Sequence, residues 1–384
     1  MQASEDLQAL ADALTKVRLQ PRSHRAYQQL SEAYGKENQA ELALAAALQA
    51  IALEPKAPEA YLQAAAIYRA GNQLQHSKNF LTRCIENCLD NQDAHLSLAI
   101  VDYALQLHDL ELPPLLTKLI PLMGAKRAML EKEADGLSTV ALGNSHGAMG
   151  FNPCFFPGSF NLCCRSQDLK YAALLHEKIT ATMPQVKNIV LFYSAFSPAF
   201  EMEKQPSEKV ICPALNELFS LNVNYSDEYL MSIASKIKGK LDHIPVDLTG
   251  QSGGYVPTSR TDHNHDYVKD RVFKHLKYSK TGSVFRHLEL MLSRAVAHGH
   301  RVTIVIPPVR SDFRFLARHS SSHVFRSLLA MANRPALKSY VNVVNLWESR
   351  LFVDAHFDDC DHLKYASDGS EILTVKVKES LARR

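Results

Sequence analysis

Apolar residues follow two regimes along this chain. From residue 5 to about 107 they recur at three- and four-residue steps between Pro, Gly and Asn breaks, which predicts short helices and no strands. Beyond residue 136, short unbroken apolar runs take over: Val140, Ala141 and Leu142, then residues 188–193, 302–306 and 341–346. Such runs, ended by Gly, Ser or Pro, suit strands buried on both faces. Amphipathic stretches separate them at 168–182, 213–220, 226–240, 283–297 and 311–332, and a last helix follows Ser367-Asp368-Gly369. Strands alternating with helices predict a parallel sheet covered on both sides. The expected class is α/β, with a helical domain over 1–108, linker helices over 109–135 and a three-layer α/β/α domain over 136–384. In the linker, Pro113, Pro114 and Pro121 predict a connecting segment around 112–123, followed by a separate helix over 125–134.

The helical third carries an internal repeat. Pro21 and Pro55 stand one step of 34 residues apart, as do Tyr34 and Tyr68, and Tyr27, Tyr61 and His95 continue the same step. Residues 24–57 form the clearest copy, with small Ala43, Ala47 and Ala50 where paired helices must approach closely. Residues 58–91 form a looser one, with Ser77 and Cys84 at small positions. Residues 5–19 read as a lone second helix and 92–107 as the first helix of a third copy. This region resembles the tetratricopeptide repeat family. That resemblance implies a stack of antiparallel helices whose concave face receives a peptide of a protein partner, a glycan-bearing protein or a second subunit; a helical cap that packs against the second domain or builds a dimer is the other reading.

Composition narrows the classes. Of 384 residues, 46% are hydrophobic and 22% charged, as in an ordinary globular protein. A net charge of +3, from 43 basic and 40 acidic residues, implies no nucleic-acid partner. No apolar run reaches the roughly 18 residues of a membrane span. The first residues, MQASEDLQALADALTK, lack the basic start and apolar core of a signal peptide, and seven irregularly spaced Cys form no disulfide framework, so a cytoplasmic location is expected.

The chemistry concentrates at two places. Thr139-Val140-Ala141-Leu142 runs into Gly143-Asn144-Ser145-His146-Gly147, which puts Ser145 at a strand tip between glycines. Open α/β sheets bind ligands at such tips; a helix-capping Ser in an ordinary turn is the plainer reading. Far downstream, Asp359 and His362 stand in a D-x-x-H arrangement before the last helix. A Ser nucleophile needs a base, and the base needs a carboxylate to fix its tautomer.

With these motifs, residues 136–384 resemble the SGNH/GDSL hydrolase superfamily. The segments GNSH, NPCFFPGSFNL with SQD, and the terminal D-x-x-H are similar to SGNH-like proteins of bacterial surface-glycan gene clusters. The resemblance implies Ser145 as nucleophile, His362 as base and Asp359 as its carboxylate. It also implies oxyanion or substrate contacts from Gly143, Asn144, His146, Asn161, Ser166, Gln167 and Ser194. Two positions depart from the pattern: no Gly lies between Asn161 and Asp168, and Ser194 and Ser197 stand where an Asn donor belongs. The implied activity is acyl transfer on a carbohydrate, either acetyl ester hydrolysis or O-acetyl transfer. A transferase would need a donor such as acetyl-coenzyme A, although no phosphate-cradling motif appears. The alternative is a non-catalytic glycan- or protein-binding adaptor. No metal is expected: Asp262-His263-Asn264-His265-Asp266 offers His-x-His without fixed further ligands, and Cys163-Cys164 has no zinc spacing.

Overall fold

A computed structural model describes residues 2–88, 91–241, 253–255, 265–280 and 282–382. The chain forms two compact units, Met1–Leu112 and Pro113–Arg384.

The first unit is helical: α1 (Gln2–Leu19), α2 (His24–Lys36), α3 (Ala40–Leu53), α4 (Pro58–Ala70), α5 (Leu74–Asn87) and α6 (Gln92–His108). Each helix packs on the next, and α2, α4 and α6 also touch in turn, as a tetratricopeptide-like stack requires. The starts of α2, α4 and α6 keep the 34-residue step, and so do the turns. Asn38 and Asn72 both adopt φ +57°, a left-handed position that Asn tolerates better than most residues. The residue after each donates its amide back to a tyrosine carbonyl, Gln39 to Tyr34 at 2.9 Å and Gln73 to Tyr68 at 2.8 Å. Ala43, Ala47, Ala50, Ala60 and Ala64 are wholly buried, since only a methyl fits where these helices cross. In the looser copy Ser77 is buried as well, and its hydroxyl donates to the Ala65 carbonyl at 2.8 Å.

The second unit runs α7 (Pro114–Glu133), β1 (Thr139–Gly143), α8 (Ser145–Gly150), β2 (Ser159–Asn161), α9 (Leu169–Thr182), β3 (Asn188–Phe192), α10 (Ile211–Phe219), α11 (Glu228–Ile237), α12 (His265–Lys277), α13 (Phe285–Ala297), β4 (Arg301–Ile306), α14 (Ser311–Val324), α15 (Arg326–Ala332), β5 (Val341–Asn345) and α16 (Asp368–Ala382). The strands form one parallel sheet in the order β2-β1-β3-β4-β5. Ala141, Val190, Phe192 and Val305 share one face with Leu373 and Val377 of α16. Alternation turns Val140, Leu142, Ile189, Leu191 and Ile304 to the other face, on the side where α9 and α13 pack together. Both faces are buried, which explains why the strands read as unbroken apolar runs. Strand order reverses at β1, so the ends of β1 and β3 bound a crevice of the kind that holds ligands in such sheets.

Two stretches differ from the sequence expectation. The connecting segment expected around 112–123 and the helix expected over 125–134 are one continuous helix, α7, with Pro121 inside it. Pro114 opens that helix at a position where its missing N–H costs nothing. The price of Pro121 is set against burial, because Leu116, Ile120, Met123, Met129 and Leu130 all leave solvent along α7. The helix expected over 311–332 is instead two, α14 and α15, separated at Phe325.

Candidate active site

The turn after β1 is shaped by what its glycines allow. Gly143 sits at φ +124°, where a Cβ would lie 2.7 Å from the Phe192 carbonyl oxygen. At Gly147 a Cβ would lie 2.5 Å from both Cys163 Sγ and the Phe192 ring. These contacts let α8 start directly above the end of β1, with Asn144 as its N-cap and Ser145 as its first residue.

Ser145 Oγ lies 2.8 Å from His362 Nε2, across 217 residues of sequence. His362 Nδ1 lies 2.8 Å and 3.0 Å from the two carboxylate oxygens of Asp359. Asp359 also accepts the amides of Asp361 at 2.9 Å and His362 at 2.7 Å. Burial alone would raise the Asp359 carboxyl; its hydrogen bond to His362 and the electrostatic pull of that ring outweigh burial and hold the group below the usual carboxylate range. An ionised Asp359 fixes the proton on Nδ1 and leaves Nε2 to accept from the Ser145 hydroxyl.

Beside this chain of three lies a second network centred on Asp361, whose side chain is wholly buried. His146 Nε2 and His275 Nε2 each approach Asp361 Oδ2 at 3.1 Å, and Arg271 Nε donates to both oxygens at 3.1 Å and 3.2 Å. The His146 ring stacks on the His362 ring with centroids 4.7 Å apart. Burial opposes ionisation of Asp361, yet Arg271 and the neighbouring imidazoles hold its carboxyl well below the usual range. Burial lowers His146 to about 3, against the pull of Asp361, and lowers His275 as well. His146 Nδ1 lies 2.9 Å from both Ser194 Oγ and Asn144 Oδ1. Asn144 Nδ2 donates in turn to Ser194 Oγ at 2.9 Å, which ties the end of β1 to the end of β3.

Donor atoms of His146, His275 and Asp361 lie within 4.8 Å of one another, as metal ligands would, and those of Asp359, Cys360 and Asp361 do too. The Arg271 guanidinium already supplies positive charge to Asp361, so we read the cluster as a hydrogen-bonded node. Asp262, His263 and Asn264 lie outside the described residues, as does the side chain of His265. Cys163 and Cys164 are buried, and burial pushes both thiols up, Cys164 to about 11, which suits small apolar fillers.

The remaining candidates divide. Asn161 donates to the carbonyls of Gly147 at 2.9 Å and Phe151 at 2.6 Å and accepts the Cys163 amide at 3.1 Å. Gln167 accepts the Gly143 amide at 2.6 Å and donates to the Leu162 carbonyl at 3.3 Å. Both side chains thus brace the turn from behind, and neither lines the cavity that opens at Ser145. Gly143, Asn144, His146 and Ser194 likewise do not line that cavity. Ser166 does line it, at φ +57°, the left-handed backbone more usual for Gly. Its amide has no hydrogen-bond partner among the described residues.

The cavity, of about 600 Å³, is walled by residues that no local motif announces: Phe196, Phe200, Arg271, His275 and Tyr278 among them. The signal that was there is the four-residue step from Arg271 to His275, which places both on one face of α12. A buried lysine backs the site from α7: Lys126 Nζ donates to the carbonyls of Asn161 at 3.0 Å and Cys163 at 2.8 Å, and burial lowers it to about 8.

No helix among the described residues is long and apolar enough to cross a membrane. No family model matches the chain, and no curated protein matches it. Among solved structures the chain is similar to a mutant O-GlcNAc transferase of Thermobaculum terrenum, at 12% identity and a TM-score of 0.29 over 88% of this chain and 71% of that one, a likeness too distant to carry an argument about fold or activity.

Proposed function

We propose that Ser145, His362 and Asp359 act as nucleophile, base and orienting carboxylate in acyl transfer. The observation that carries this reading is the unbroken line from Ser145 Oγ through both nitrogens of His362 to Asp359. His362 Nε2 takes the hydroxyl proton as Ser145 Oγ attacks the ester carbonyl. The tetrahedral intermediate collapses, and His362 returns the proton to the departing alkoxide, which leaves an acyl-Ser145 ester. Water, or a sugar hydroxyl, then gives its proton to His362 and attacks that ester, releasing either a free acid or a new ester with Ser145 restored.

Ser145 and Ser166 have the amides best placed to receive the oxyanion. The first amide of a helix has no partner within it, and the Ser166 amide is unpaired among the described residues. Ser194 cannot add a third donor without leaving His146 and Asn144. A missing donor costs about 10²–10³-fold in rate, so hydrolysis of a simple ester should be slow. The carbohydrate substrate follows from the resemblance of the GNSH and D-x-x-H segments to proteins of surface-glycan clusters.

A fluorophosphonate probe should label the protein at Ser145. Ser145→Ala should abolish labelling with the melting temperature nearly unchanged, and His362→Ala should reduce it comparably, because such residues act as a unit. Labelling that persists in Ser145→Ala would remove the reading.

A further inference from the structure

The cavity at Ser145 has an uneven charge. Four cations line it, Arg165, Arg271, Lys274 and Lys277, against one carboxylate, Glu208. Arg165 is paired with Glu208 at 3.0 Å, and Arg271 is turned to Asp361 at 3.1 Å. Lys274 and Lys277 have no carboxylate partner among the described residues, and Lys277 rests over the Tyr278 ring at 5.3 Å. Both lysines are exposed and occupy the last turn of α12, where the helix dipole favours a cation. That alone would account for lysines anywhere around the turn; it does not account for two of them facing a cavity of about 600 Å³ that ends at a nucleophile. The same cavity is lined by aromatic rings in edge-to-face contact, with Phe196 to Phe200 centroids at 5.2 Å and Phe200 to Tyr278 at 5.5 Å. Aromatic walls suit the apolar faces of a sugar ring, and lysines at the cavity's edge suit a charged substituent on it.

Resting on the acyl-transfer reading, we propose that the carbohydrate bound here carries an anionic group, a carboxylate or a phosphate, held by Lys274 and Lys277. The anion fills the charge left open on α12, and the ring lies along Phe196, Phe200 and Tyr278. Arg271, committed to Asp361, holds the α12 wall in place.

Calorimetric binding of D-glucuronic acid, glucose 1-phosphate and glucose to the full chain tests this without requiring turnover. At least one anionic sugar should bind tenfold or more tightly than glucose, and the advantage should shrink as salt screens it. Binding of glucuronic acid alone selects the carboxylate, and of glucose 1-phosphate alone the phosphate. Lys274→Gln/Lys277→Gln, at exposed positions, should reduce the advantage at least fivefold, while Lys269→Gln, on the same helix and outside the cavity, should keep it. Ser145→Ala should keep it too, so loss of the nucleophile reading in the labelling experiment leaves this test intact. Equal or undetectable binding of all three sugars, or an advantage that survives the double substitution, would overturn the proposal.

Discussion

At Gly147 the backbone of α8 comes within van der Waals reach of Cys163 and Phe192, and this single missing side chain lets Ser145 stand over the strand end. Gly147→Ala should force those neighbours apart and destabilise the unit by about 1–3 kcal/mol, read from urea denaturation midpoints. Ser145, Asp359 and His362 stand out in the sequence because each sits in a short motif with its own chemistry. Asn161 and Gln167 also stand out, but an amide side chain shows its type in the sequence and not its direction. Here both turn inward to backbone groups. Arg271 and His275 offer the sequence only their four-residue step, because their meaning comes from Asp361, reached across 90 residues in the case of Arg271.

Elements were legible where period and burial agree. The strand runs are apolar because both sheet faces are covered, and Asp168 reads as the start of α9 because its carboxylate accepts the Tyr171 amide at 2.9 Å. The 34-residue step was legible because each repeat reuses the same turn, down to the left-handed Asn38 and Asn72. α7 was not legible as one helix, since Pro121 is a local break signal that tertiary burial overrides. In the helical unit, Ala47→Leu should cost about 1–3 kcal/mol, because Ala47 is wholly buried between helices. Asn72→Gly should be neutral or stabilising and Asn72→Val destabilising by about 1–2 kcal/mol, since a β-branched residue resists positive φ. Thermal unfolding followed by circular dichroism separates these outcomes.

Across the whole molecule, buried neutral histidines set a response to acid. His176 is wholly buried beneath α13, with Nε2 3.0 Å from His300 Nδ1, and burial lowers it to about 4. Between an unfolded value of about 6.5 and that folded value, the unfolded chain binds the extra proton, so stability rises with pH and falls on acidification. Denaturation midpoints should drop as pH is lowered from 6.5 to 4, and His176→Gln should make that slope shallower by about 1 kcal/mol per pH unit; an unchanged slope would show that His176 is protonated in the fold. The sequence separation of Ser145 and His362 also has a consequence in time. At about 5–20 residues per second, 217 residues take roughly 10–40 s to synthesise. Once residue 192 is made, the growing chain already holds its serine, its glycine turn and both β1 and β3. It does not yet hold His362, the imidazole that stands 2.8 Å from the Ser145 hydroxyl. If Ser145 is the nucleophile proposed above, the nascent protein is chemically silent while it is made, and its reactivity switches on only when the loop bearing Asp359, Asp361 and His362 has been delivered.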